Sequence, residues 1–341
     1  MKKKRSAYLD IIRGLAIVLM IFGHTLSDFR GQVNLTTGAY YENPLFRAIY
    51  SFHMPLFALV SGYLFYFSVS KYETVSLLKK RLVQFLLPLF FYDTLSYLLL
   101  HSHWTLSGYL LVLQGHYWFL WAILALSIGF ALVHRWFADS LWVYGLVFVL
   151  TFLVPNGFKI FDLSKLFFLY PFFALAYFFA KYKDRLLPWV KAHIWQIFLL
   201  SLLVTVLLYP HFHTGQYIYN SRYSVLFPDA SFSRLQQLYN DGIRLGIGLS
   251  ANATVFSVTF LLTPWLEKSL LKHPLVYLGQ HSLAIYCIQE IVIVFAMYRL
   301  PAFVKPTLAY NLLETLLVTL VCMGLVWAIN RLPMFRKLGI G

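Results

Sequence analysis

Charge is scarce in this 341-residue chain. Asp, Glu, Lys and Arg make up only 12% of it, where soluble domains carry about 25%. So thin a supply cannot cover a water-facing surface, and an ordinary soluble globule is excluded. Cysteine is scarcer still: there are two, Cys287 and Cys322, both inside apolar runs. They give no framework for disulfides and say little about redox compartment. Acidic residues are outnumbered, 13 against 28 Lys and Arg, for a formal charge of +15. The basic residues do not gather into one patch, which excludes a nucleic-acid surface. They recur between hydrophobic runs, as in the positive-inside pattern of membrane proteins. What the chain has in excess is apolar matter, at 60% hydrophobic and 19% aromatic residues.

That matter is arranged in runs. A helix crossing the hydrocarbon layer needs about 20 mostly apolar residues. Stretches of that kind lie at 8–28, 46–68, 82–100, 117–134, 140–155, 164–181, 189–209, 235–262, 275–297 and 307–329. The fifth is short and also reads as one arm of a tilted or re-entrant pair with the sixth. The predicted fold is all-α: a polytopic integral membrane helix bundle of about ten transmembrane helices, forming a single domain over residues 1–341. The opening MKKKRSAYLDIIRGLAIVLMIFGHT has the basic-then-apolar outline of a secretory signal. Asp10 and Arg13 interrupt it and no small-residue cleavage site follows, so it reads as a retained first helix.

Charge orients the bundle. With the N-terminus inside, the cytoplasmic segments collect residues 2–5, Lys71, 79–81, Arg135, Lys181, Lys183, Arg185, Lys191, Lys268, Lys272, Arg331, Arg336 and Lys337. The outer segments hold fewer: Arg30, Arg47, Lys159, Lys165, Arg222, Arg234, Arg299 and Lys305. This alternation needs an even number of spans and puts both termini in the cytoplasm, in a cell (plasma or inner) membrane. Three outer segments are long, at 29–45, 101–116 and 210–234. Loops of that length are either functional or plain surface. Asn34-Leu35-Thr36 fits the glycosylation pattern, a common tripeptide.

Ionisable groups inside a bilayer are expensive, so each is a candidate for function. The first span carries Asp10, Arg13 and His24. At about 100° per residue, Arg13 and His24 come within about 20° of one another on the helix, separated by about 16–17 Å along its axis. Asp10 lies one turn before Arg13 on the same side. One face thus carries an Asp–Arg pair toward the cytoplasm and a histidine toward the outside, with Gly14 and Gly23 allowing close approach of other helices. The pair is equally readable as an interfacial ion pair with Arg13 snorkelling. His24 has the titration range of a general acid or base. His53, in Phe52-His53-Met54-Pro55-Leu56-Phe57, lies at a similar depth on the next span, followed by Ser61-Gly62-Tyr63.

Other groups are less specific. Lys79-Lys80-Arg81 precedes the third span, where it sets topology or attracts a phosphate. His116 opens the fourth span from outside, followed by the interfacial residues Tyr117 and Trp118. His101 and His103 read as wetted loop residues. Asp241 and Arg244 in the eighth span pair at one turn's spacing, either lining a cavity or holding helices together. The histidines lack close carboxylate or cysteine ligands, so no metal site is expected, and there is no nucleotide-binding loop.

These residues bring a family into view. Tyr8-Leu9-Asp10-Ile11-Ile12-Arg13-Gly14-Leu15-Ala16 through Phe22-Gly23-His24 resembles the signature of the acyltransferase type 3 family of integral membrane O-acyltransferases, with ten residues between arginine and histidine. The stretch His53–Phe57 with Ser61-Gly62-Tyr63 is similar to its second motif, and Tyr117-Trp118-Phe119-Leu120 and 278–286 resemble later segments. The form is similar to the fucose 4-O-acetylase-like branch. Two departures stand out. Many relatives carry a histidine soon after the tyrosine of the ninth span, where this chain has Gln289-Glu290; and Gln84 replaces a second arginine after Arg81.

The resemblance implies acyl transfer, usually of acetyl, from cytoplasmic acetyl-CoA to a sugar hydroxyl. The acceptor is then a polysaccharide or a lipid-linked glycan. In that reading His24 deprotonates the acceptor or transiently carries the acyl group. Arg13 binds or polarises the donor, Asp10 orients Arg13, and His53 helps position substrate or stabilise charge. Lys80 and Arg81 attract the phosphates of coenzyme A. Ser61, His116, Trp118, Asp241 and Arg244 are the candidates for binding substrate. A transporter or flippase for a glycan or lipid intermediate is the alternative: it shares many spans and buried polar groups, but has no reason to carry the paired first- and second-span motifs.

Overall fold

A computed structural model of the chain describes residues 7–29, 32–33, 39–100, 103–151, 165–218, 231–297 and 307–332. The basic residues 2–5, Arg30, the Asn34-Leu35-Thr36 tripeptide, His101, Lys159, Arg222, Arg299, Lys305, Arg336 and Lys337 lie outside them. Among the described residues the protein is helical, apart from a two-residue antiparallel pair, β1 (Asp28–Phe29) with β2 (Gln32–Val33). The chain forms two compact units, 1–53 with 194–203 and 251–341, and 54–193 with 204–250.

The first unit is built around α1 (Ala7–Ser27). Against it pack α2 (Pro44–Tyr50), α12 (Lys272–Gln280), α13 (Ser282–Met297) and α14 (Leu308–Arg331). Local chemistry starts these helices. The Asn43 side chain accepts from the backbone N–H groups of Leu45 and Phe46, at 2.9 and 3.2 Å, ahead of Pro44. Thr307 caps α14 through the Tyr310 N–H at 3.2 Å. Two glycines let α1 and α12 meet backbone to backbone. A Cβ on Gly14 would collide with the Leu275 carbonyl oxygen, and one on Gly279 with the Asp10 carbonyl oxygen. Gly23 faces the Tyr50 ring in the same way. At His281 the chain bends by 90° between α12 and α13.

The second unit holds most of α3 (His53–Val69), with α4 (Thr74–Leu100), α5 (Leu106–Gly115), α6 (Trp118–Phe137), α7 (Leu141–Thr151), α8 (Leu166–Lys181) and α9 (Lys183–Ala192). Two helices, α10 (Ile194–Leu208) and α11 (Arg234–Leu266), contribute residues to each unit. Here a carboxylate ties three helices. Ala138 and Asp139 turn the chain between α6 and α7 with φ of 47° and 61°, a left-handed conformation that aspartate tolerates better than most residues. The Asp139 carboxylate then accepts from His134 Nδ1 at 3.0 Å, from the Tyr144 and Tyr177 hydroxyls at 2.9 Å each, and from Lys181 Nζ at 2.9 Å. Phe130 and Tyr170 extend this cluster as an aromatic core.

Among the described residues, seven helical segments are long and apolar enough to cross a membrane, or eight if the bent pair α12–α13 counts as one span. The described parts of α7 and α8, at the fifth and sixth predicted stretches, are 11 and 16 residues long. Several predicted boundaries move. Helix α4 starts at Thr74, because Glu73 accepts from the N–H groups of Val75 and Ser76. The basic triplet 79–81 therefore sits on a helix, not ahead of one. The predicted loop 101–116 contains α5, capped by Thr105 through Gly108 N–H at 3.1 Å. The seventh stretch begins inside α9, a separate helix with no buried residue.

Burial works to raise the Asp139 pKa, but the hydrogen bonds from Lys181, His134, Tyr144 and Tyr177 outweigh it and hold the carboxyl below its ordinary value. A depressed carboxyl stabilises the fold above the unfolded-state pKa and loses that contribution as pH falls through the folded one. Melting of the detergent-solubilised protein should therefore weaken in acid below about pH 4, and Asp139→Asn should flatten that dependence while costing on the order of 2–3 kcal/mol at neutral pH. An unchanged melting curve for the variant at both pH values would disprove the role.

Candidate active site

In the first unit the charged face of α1 meets the bend between α12 and α13. Asp10 is 3% exposed, and its carboxylate lies 3.9 Å from Arg13 Nη1, an ion pair longer than a hydrogen bond. It also accepts from Gln280 Nε2 at 3.4 Å. Arg13 Nη2 donates to Ser282 Oγ at 2.7 Å. Gln280 is the last residue of α12 and Ser282 the first of α13, so the Asp–Arg pair touches both sides of the break.

Farther along α1, His24 Nδ1 lies 2.8 Å from Gln289 Nε2 and 3.1 Å from Gln289 Oε1. The next residue, Thr25, reaches α14 with its hydroxyl 3.0 Å from that of Thr315. His53 is buried, with Nδ1 2.9 Å from the Ile49 carbonyl oxygen. A carbonyl only accepts, so the proton of a neutral His53 sits on Nδ1 and leaves Nε2 as an acceptor. His24 and His53 are near enough to interact electrostatically. Asp10, Arg13, His24 and His53 thus all belong to one unit.

The remaining sequence candidates fall in the second unit. Lys80 is exposed, with its ammonium 3.5 Å from the centre of the Tyr72 ring. Lys71 and Lys80 hold the Tyr72 phenol below its ordinary pKa, a sign of concentrated positive charge. Arg81 lies over the Phe65 ring at 5.1 Å and donates to Ser68 Oγ and Gln84 Oε1, each at 3.0 Å. Gln84, where a second arginine was the expected pattern, accepts from Arg81. Ser61 stands beside Gly62, at which a Cβ would collide with the Phe173 carbonyl oxygen of α8. The Trp118 indole has the Lys165 ammonium 4.5 Å from its ring centre. Arg244 is 1% exposed and pairs with Asp241 at 3.3 Å, while its Nη2 donates to the Gly215 carbonyl oxygen at 3.3 Å. The Gly215 contact ties the turn at 215 to α11. Among the described residues no group of three or more His, Cys, Asp or Glu side chains is placed to hold a metal ion.

Sequence reasoning passed over several residues. Asp93, 0% exposed on α4, receives His116 Nδ1 at 2.7 Å. Glu314 is buried on α14 beside Thr315. Both are carboxyls within apolar runs, and the rule that singled out Asp10 finds them equally well. Ser282 and Gln289 carry no such signal, since a neutral polar residue in a span is unremarked until its partner is known.

Comparison with known proteins places the chain. The acyltransferase-domain family model matches residues 6–331. The nodulation protein NolL of Sinorhizobium fredii is 28% identical over 293 residues, covering 84% of this chain and 77% of that protein. NolL of Mesorhizobium japonicum is 27% identical over 321 residues, covering 90% of this chain and 80% of its own. The chain belongs to the acyltransferase type 3 family. It is a membrane O-acyltransferase.

The Asp93–His116 contact should be a strongly coupled pair. In a double-mutant cycle with Asp93→Ala and His116→Ala, melting in detergent should give a coupling of about 1–3 kcal/mol. Simple additivity would mean that the two side chains do not interact.

Proposed function

We propose that this enzyme moves an acetyl group from cytoplasmic acetyl-CoA to a hydroxyl of a surface polysaccharide or of its lipid-linked precursor, in the cell membrane. The proposal includes the finer topology: ten crossings, with α7 and α8 as the fifth and sixth, and both termini in the cytoplasm. What carries the reading is the first helix. Arg13 and His24 share its face, each is engaged by a residue of α13, and they stand about 16–17 Å apart along the axis.

The roles follow from chemistry. A sugar hydroxyl is a poor nucleophile at neutral pH and needs either a base within hydrogen-bond reach or a pre-activated acyl group. His24 supplies one or the other. Arg13 offers a fixed fork of donors that neutralises charge on the donor as its thioester opens. Asp10 and Ser282 hold that fork, and His53 helps position substrate or stabilise charge. Lys80 and Arg81, on the basic start of α4, draw the phosphates of coenzyme A. Ser61, His116, Trp118, Asp241 and Arg244 shape acceptor binding, with the Trp118 indole as an apolar platform for a sugar ring.

Membranes containing the protein, supplied with acetyl-labelled acetyl-CoA, should pass label to a carbohydrate fraction. His24→Ala should cut that labelling on the order of 100-fold or more while leaving the protein folded in the membrane. Arg13→Lys keeps the charge but loses the planar fork, and should lower kcat/KM for the donor about tenfold. Full labelling by His24→Ala would remove His24 from the mechanism, and label confined to lipid or protein would overturn the carbohydrate acceptor.

A further inference from the structure

In the second unit one cation is held differently from its neighbours. Arg81 is half-buried on α4, and its guanidinium is bounded on three sides. The centre of the Phe65 ring on α3 lies 5.1 Å from the guanidinium carbon. Ser68 Oγ, one turn on along α3, accepts from Nη2 at 3.0 Å. The Ser68 hydroxyl itself donates to the Leu64 carbonyl oxygen at 3.3 Å, which leaves its oxygen to face Arg81. Gln84 Oε1, one turn on along α4, accepts from Nη1 at 3.0 Å. An amide or hydroxyl oxygen fixes a guanidinium without neutralising it, as a carboxylate would. Among the described residues no carboxylate forms an ion pair with Arg81. The acid nearest in sequence, Glu73, is taken up by the N–H groups of Val75 and Ser76.

More positive charge flanks the site. The ammoniums of Lys80 and Lys71 lie 3.5 and 5.2 Å from the centre of one ring, that of Tyr72. Membrane topology asks only that such residues gather at one end of the bundle. It does not ask that two of them converge on one ring, where they repel each other, or that the next residue be locked by neutral acceptors.

We propose that Gln84 is a positioning residue for the acyl donor: with Ser68 and Phe65 it sets the Arg81 guanidinium in a fixed orientation, its charge intact, for the phosphates of coenzyme A. This rests on the reading of Arg81 as a phosphate ligand and adds a residue to it. A free arginine loses rotamer freedom when it clamps an anion. One already held by neutral acceptors has lost that freedom beforehand, so more of the attraction appears as affinity. Orientation counts because phosphate oxygens are taken in pairs by the parallel N–H groups of the planar fork. An amide suits position 84 for this task. Leucine could not accept, lysine or arginine would repel, and a carboxylate would accept but offset the charge. The phosphates are remote from the reacting carbonyl, so the contact acts on binding and leaves the chemical step alone.

The test is acetyl transfer to carbohydrate in membranes from two donors, acetyl-CoA and S-acetyl-pantetheine, which has the thioester but no phosphate. Wild-type protein should use acetyl-CoA with a kcat/KM on the order of tenfold higher or more. Gln84→Leu, at an exposed position, should raise KM for acetyl-CoA about three- to tenfold, with kcat within about twofold of wild type. Its kcat/KM for S-acetyl-pantetheine should stay within about twofold of wild type. In an Arg81→Met background, Gln84→Leu should have no further effect. Equal losses with both donors would point to damage of the fold and overturn the proposal, as would a full effect of Gln84→Leu on top of Arg81→Met. Wild-type KM in Gln84→Leu, with KM raised by Arg81→Met, would overturn the role of Gln84 alone. Wild-type KM in Arg81→Met, or equal use of the two donors by wild-type protein, would remove the phosphate site beneath it as well.

Discussion

The contact on which the first unit depends is the backbone approach of α1 and α12. Gly14 faces the Leu275 carbonyl and Gly279 faces the Asp10 carbonyl, with no room for a side chain at either crossing. Association of helices in lipid has little hydrophobic force behind it and relies on close packing and interhelical hydrogen bonds. Bringing the two backbones together is also what puts Gln280 within reach of Asp10 and Ser282 within reach of Arg13. Gly14 directly follows Arg13, and Gly279 directly precedes Gln280. Small residues and costly residues are thus interleaved on one seam, and neither set is placed without the other.

The second unit solves the same problem with charge. A carboxylate in a low-dielectric interior is tolerated only when its lone pairs are occupied. Asp139 meets this with four donors drawn from α6, α7 and α8. Asp93 meets it in part through His116, which stands at the junction of α5 and α6. In each case a carboxylate fixes a turn between helices, where packing alone is weakest because the chain reverses. Arg244 does the corresponding work from the cationic side, holding the turn at Gly215.

Much of this was legible beforehand, for definable reasons. Hydrophobic run length located the long helices, because in lipid the backbone has almost no other way to satisfy itself, but it missed α5, inside a predicted loop, and most of α9. The face shared by Arg13 and His24 followed from helical pitch alone. Two things were not legible. Helix ends moved where a side chain captured backbone N–H groups, as Glu73 and Thr105 do, since capping depends on local geometry that hydropathy ignores. Neutral partners were invisible too. Gln289 drew notice only as a missing histidine, and Ser282 only as one residue of the stretch 278–286. A serine or glutamine in a span is ordinary until the fold sets it 3 Å or less from a charged or titrating group.

One ambiguity in the sequence is not a choice between exclusive readings. The Asp10–Arg13 pair was readable as a structural ion pair or as donor machinery, as if these were rivals. Backbone broken within an apolar region is tolerated only where protein or a polar cavity supplies partners for the freed groups. The 90° break at His281 is such a place, and Asp10 and Arg13 grip the residues on either side of it. On the proposed reading of Arg13, a structural task and a catalytic one then reinforce each other. A guanidinium already held by Ser282 and Asp10 has its fork oriented before any donor arrives. It needs little reorganisation when charge develops on a thioester, which is the condition under which such a group is most effective. The packing that makes the pair look structural is therefore what would make it a good catalyst.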